Sequence, residues 1–363
     1  MAGRLRGSAA LAMAFAVAMA SCASRPPLPP PAPLAPPAAA PAPPPPPPPP
    51  PPHTLSAPPL AVTLLDARTA QVFHIVDELS RWYPEAPSDY SAWAATDMPL
   101  DDGERLMIGK HIQLRMARGW GALDQAFSST APVVAAAQAA AQKKLLRPGE
   151  ADDERVLLEH FGARLRPFLE SRQPSIVAFE SRLAEAMPAA SPLFAQLGRL
   201  CDIGDPLSVR VVVVPSPASA QREGRLARGT ISIEVAATGD SSVASEGAVR
   251  ALMHALAVAV LQERRGTIAS AARKCAESVD DETVEVGLAY AFAPGLVHSP
   301  GGDPLRDAVA AERGASLREP RVRAERLGLA VRTELSAALE GGHETIGSFI
   351  PKVCDAWANV VRP

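Results

Sequence analysis

Aromatic side chains make up only 4 % of the 363 residues, and lysine supplies just 5 of the 36 basic groups. A nucleic-acid surface needs basic side chains interleaved with aromatic stacking groups. No such stretch occurs, so nucleic acid is excluded as a partner. The shortage of lysine, beside abundant Ala, Arg and Pro, points to a GC-rich coding sequence rather than to a function. There is no G-x-S-x-G elbow and no phosphate-cradling glycine loop, which removes the serine-hydrolase and P-loop chemistries. Cysteine is also scarce. After Cys22 only Cys201, Cys275 and Cys354 remain, spaced by 74 and 79 residues, and these separations fit neither C-x-x-C nor a zinc knuckle. In an oxidising compartment they give one disulfide and one spare thiol, with the pair left open. Past the N-terminus, no run reads as long and apolar enough to span a bilayer.

What the chain does contain is most explicit at its start. Arg4 and Arg6 precede the apolar run 9–20, twelve residues that are too few to cross a membrane as a helix. Residues 1–21 therefore read as a signal peptide. Met19-Ala20-Ser21-Cys22 resembles the bacterial lipobox, although that motif prefers Leu at its first position. The resemblance implies lipidation of Cys22 and anchoring in the bacterial cell envelope. Ala23 after the cysteine implies the outer membrane, by analogy with enterobacterial sorting. The alternative is a plain secretory signal cleaved near Ala20. Residues 26–52 then hold 19 prolines, ending in the unbroken run Pro43–Pro52. Without amide donors such a segment stays in polyproline II, reaching roughly 80 Å at about 3.1 Å per residue. Segment 22–59 thus reads as a disordered stalk that spaces a domain from a lipid surface, with recognition by a proline-binding partner as the alternative.

The remaining chain is one large domain or two intimate ones. Residues 60–205 read as a helical part, with helices at about 64–83, 103–118, 132–147, 152–172 and 175–187. Trp120 and Phe127 in "RGWGALDQAF" read as core anchors of a loop, or as the rim of a pocket. At Leu207 the character changes. "LSVRVVVVPS" is β-branched and of strand length, and in "GTISIEVA" Ile231, Ile233 and Val235 alternate with polar residues. The second pattern predicts a strand with one face on a core. Helices follow at about 243–265 and 281–293 and at three places in the last seventy residues, with Asp303 of "GGDP" as a helix start. The fold class is helix-rich α+β, with a small sheet beside the 243–265 helix; residues 206–363 form this α+β part with its C-terminal helices.

Two strands, a helix with His254, and the later "TVEVGLAYAFAPG" resemble in their order the zincin metallopeptidases of the gluzincin branch. Those proteins place an edge strand before an H-E-x-x-H helix and a third ligand, Glu, in a later E-G-L-A motif. Histidines at i and i+4 share a helix face and can reach one zinc, while the Glu at i+1 takes a proton from the metal-bound water. Matched residue by residue, the first histidine falls on His254, the catalytic glutamate on Ala255, the second histidine on Val258 and the third ligand on Val286. One functional position of four is kept. The resemblance therefore implies a vestigial site at His254, Ala255, Val258 and Val286, with no catalytic residue, no bound metal and no cofactor. Apolar replacement is the expected repair of a lost metal site, because unpaired buried ligands cost about 1–3 kcal/mol each.

Two alternatives stand beside this one. The first is an unrelated α+β domain with a core histidine. The second is an active zinc-dependent peptide hydrolase with displaced ligands drawn from Glu285, His298 and His343. The function expected from the resemblance is a lipid-anchored envelope protein with an inactive metallopeptidase-like domain that binds a protein, a peptide or cell-wall material.

Overall fold

The computed structural model describes residues 53–65, 67–83, 89–119, 121–218, 221, 222, 224–227, 229–236, 241–298 and 302–362. The signal peptide, Cys22, the proline run and Trp120 lie outside the described residues. The class expected from the sequence is the one found, a mostly helical α+β fold with a small mixed sheet.

The sheet has five strands in the order β1-β2-β3-β5-β4. β1 (His53–Ala57) and β2 (Leu60–Leu65) form an antiparallel hairpin, and β2 runs parallel to β3 (Leu207–Pro215) with Leu60 opposite Leu207. β3 is parallel to β5 (Thr230–Val235), while the three-residue β4 (Arg225–Ala227) pairs antiparallel with β5 as the edge. Two expectations are corrected here. Strand pairing begins at His53, so residues 53–59 belong to the sheet hairpin rather than to a disordered stalk, and the 60–205 part opens with a strand. Segment 229–236 is an inner strand buried on both faces, since helices cover both sides of the sheet.

One face carries Val62, Leu64, Val209, Val211, Val213, Ile231, Ile233 and Val235 into a core. Two helices close it: α7 (Arg166–Leu200) and α8 (Ser241–Gln262). The opposite face carries Leu65, Val212 and Val214 against a first helix, α1 (Arg68–Ser80), and a second core. That core is completed by α2 (Asp89–Asp97), α3 (Asp102–Arg118), α4 (Ala122–Phe127), α5 (Val133–Gln142) and α6 (Pro148–Arg164). Alternation along the strands thus feeds two cores instead of one core and solvent.

α7 runs through Pro174 and Pro188, where the sequence suggested breaks, and through Pro192. Its inward face, with Ile176, Phe179, Leu183, Met187, Phe194 and Leu197, is continuous and buried. Burying that stripe stabilises the helix by more than the hydrogen bonds lost at the prolines cost. α8 is long and apolar enough to cross a membrane by length and composition, which corrects the reading that no such run exists. Most of it is buried in the core, as befits a central helix.

After α8 come α9 (Arg265–Ala272), α10 (Asp281–Phe292), α11 (Pro304–Ala311), α12 (Pro320–Gly341) and α13 (Ile346–Val361). Asp303 caps α11 by accepting from the Arg306 amide. α10 and α12 cross at two glycines: a Cβ on Gly328 would sit 2.8 Å from the Gly287 carbonyl oxygen. A disulfide joins Cys275 to Cys354, and Cys201 is a buried free thiol.

Candidate functional site

His254 lies mid-way along α8 at 6 % exposure, with Ala255 buried beside it and Val258 one turn on, half-buried. Its ring packs over Tyr290 of α10, 4.4 Å between centroids. The ring donates a hydrogen bond to the Val286 carbonyl, and Nε2 has no hydrogen-bond partner. α8 and α10 therefore meet at residues 254 and 286. Burial pushes the imidazole down to about 4, a fall that the Val286 bond only partly opposes, so His254 is neutral at pH 7.

The displaced-ligand candidates lie elsewhere. Glu285 is buried and raised above the usual carboxylate range by that burial, with Gln262 as its hydrogen-bond partner and Arg265 4.0 Å away. His298 lines a groove of about 340 Å³ between α7 and α8, whose floor includes Ala186, Leu193, Val249 and Met253. His343 is exposed between α12 and α13.

A second polar centre, missed in the sequence, lies on the other face of the sheet. α1 turns His74 and Glu78, four residues apart and on one helix face, toward Glu234 of β5. All three are buried, and one ligand atom from each lies within 4.8 Å of the others. His74 Nε2 is 3.0 Å from Glu234 Oε1. This His/Glu/Glu cluster is capable of ligating a metal ion.

No protein-family model, curated protein or solved structure matches this chain.

The cluster continues into an ionic network threaded through the second core. Arg115 of α3 is fully buried; its Nε donates to Asp77 Oδ1 at 2.6 Å and its Nη1 to Asp124 Oδ2 at 2.6 Å. Arg225 of β4 faces Asp77 (2.9 Å), Glu78 (3.1 Å) and Asp124 (3.4 Å). His111 of α3 lies between Glu154 (3.0 Å) and Asp77 (3.2 Å), with one ring nitrogen toward each. Burial alone would lower its pKa, but the hydrogen bonds and charges of these two carboxylates outweigh it and raise His111 to about 9. Burial would likewise raise Asp77, yet His111, Arg115 and Arg225 hold it well below the usual carboxylate range. Glu234 is also lowered, burial being outweighed by His74, Ser216 and Arg222. Tyr90, fully buried, is raised well above the ordinary phenol value by burial and by the charges of Glu234 and Glu78.

The sequence held one signal for this centre, the i, i+4 spacing of His74 and Glu78. Glu234 gave none, because it occupies the polar register of an alternating strand.

Proposed function

We propose that the chain is a lipid-anchored protein of the bacterial cell envelope whose body is a catalytically inactive, gluzincin-like domain serving as a binding or structural module. The observation that carries this reading is the hydrogen bond from the His254 ring to the Val286 carbonyl. It joins the two helices at the positions that the resemblance gives to the first and third zinc ligands. A ring nitrogen tied to a carbonyl, with the other free, is how metal-ligating histidines are oriented. Around that oriented ring the other positions are Ala255, Val258 and Val286, which offer a cation no donor atom. No side chain adjacent to His254 on α8 can take a proton from an attacking water. An antiparallel edge strand, β4, precedes β5 and α8, and this order supports the same reading.

Envelope anchoring through Cys22, most simply in the outer membrane, and a protein, peptide or cell-wall partner complete the proposal. Cys22→Ser is expected to release the protein from membranes. The functional test is peptide hydrolysis by the purified full mature chain, with and without chelator. The expected result is no cleavage by the parent. Ala255→Glu with Val258→His and Val286→Glu should gain zinc bound through residue 254. Chelator-sensitive cleavage by the parent, abolished by His254→Ala, would overturn the reading.

A further inference from the structure

We infer that His74, Glu78 and Glu234 form a site for a divalent first-row cation of the zinc or manganese class, separate from the His254 region and on the opposite face of the sheet. The donor set, one imidazole and two carboxylates, is one that such ions accept. Three further observations carry the assignment beyond proximity.

The first is how the carboxylates are held. Glu78 Oε1 accepts from Tyr83 Oη at 2.7 Å and from Arg225 Nη1 at 3.1 Å. Glu234 Oε2 accepts from Ser216 Oγ at 2.7 Å, and Arg222 Nη1 is 3.6 Å from that same oxygen. Each carboxylate is thus anchored through one oxygen, with its other oxygen left for the cluster. Outer partners of this kind orient the ligands of metal sites. The two arginines sit on the anchored oxygens, where they orient the ligands instead of competing for the cation.

The second is a concentration of unpaired buried atoms. Glu78 Oε2 and His74 Nδ1 have no hydrogen-bond partner, and their residues are 2 % and 3 % exposed. Tyr90 meets the His74 ring edge-on at 6.4 Å. Leaving buried polar groups unpaired is costly, and two such atoms on neighbouring side chains mark a place built around something polar or charged.

The third is charge. Among the described residues, the connected carboxylates are Asp77, Glu78, Asp89, Asp124, Glu154 and Glu234, and the cations facing them are Arg115, Arg222, Arg225 and His111. Asp89 is exposed to solvent, so even with His111 protonated one negative charge is left over in the buried part. A divalent cation bound at the cluster more than offsets it.

The test uses the full mature chain, stripped with chelator and reloaded separately with Zn²⁺ and Mn²⁺, then freed of loose metal and analysed for content. About one equivalent is expected for at least one ion. His254→Ala should keep it, whereas Glu78→Gln and Glu234→Gln should lose it. Those substitutions are buried, so Ser216→Ala serves as the milder variant. It keeps all three ligands and is expected to weaken binding about 10- to 100-fold by freeing Glu234 Oε2. Cobalt substitution of the parent, read by X-ray absorption, should give one nitrogen and otherwise oxygen neighbours. Absence of retained metal in the parent would overturn the site, as would affinity unchanged in Ser216→Ala and both Gln variants. Metal lost only with His254→Ala would overturn this site and the inactive-domain proposal together, whereas failure of the site alone leaves that proposal standing.

Discussion

Replacing His111 with Gln exposes a pH-dependent part of the stability that no other variant isolates. His111 is fully buried and flanked by Asp77 from α1 and Glu154 from α6, with Arg115 on its own helix shared through Asp77. A histidine raised from 6.5 to about 9 on folding stabilises the folded state through its proton. The stabilisation is fully present below the unfolded pKa of 6.5 and is lost as pH rises through 9. At about 1.4 kcal/mol per pKa unit the whole effect is about 3 kcal/mol. Gln keeps a donor of similar reach but has no charge to titrate. Urea unfolding of parent and variant at about pH 6 and about pH 9.5 cancels the titration of every other group in the difference. The parent's advantage over His111→Gln should shrink by about 3 kcal/mol between the two conditions. An advantage that stays constant, or grows with pH, would show that the carboxylates on both sides do not hold the imidazolium.

Two further outcomes concern the C-terminal half. Gly328→Ala should destabilise the fold by about 3 kcal/mol, because its Cβ meets backbone atoms of α10 that cannot yield, and thermal unfolding with a Gly314→Ala control in open space checks this. Replacing both Cys275 and Cys354 with Ser should cost about 4.5 kcal/mol, the chain-entropy value for residues 79 apart, and parent and variant should converge under strong reductant.

The parts of the fold legible in the sequence were those where one rule acted alone. The β-branched run of β3, the Ile231-Ile233-Val235 alternation, the buried helix around His254 and the Asp303 cap each follow from local chemistry. β2 was not legible, because "LAVTLL" is short and abuts the apolar residues of α1, so strand and helix periods blur. Reading Glu234 as part of a solvent face failed because its partners are other polar groups. Glu234 is buried against His74 and Ser216, an arrangement the hydrophobic pattern cannot encode. Gly287 shows the converse. Within "VGLAY" it reads as part of a metallopeptidase motif, yet the close passage of α12 beside it is already a sufficient reason for a residue without a side chain.

The register of β2 on β3 has a kinetic meaning. Leu60 finds its neighbour Leu207 only after about 150 intervening residues, and β3 and β5 must be available before the parallel centre of the sheet exists. Closing so long a loop is slow, since its entropy is lost before any pairing is gained. The helices α1 to α6 lie entirely inside that loop, so their charged interior begins to assemble against a single hairpin, with the sheet that finally walls it arriving late. Folding of this chain is therefore expected to wait on its middle: a nascent chain released before Val235 lacks the strand that supplies Glu234, and with it the partner of His74.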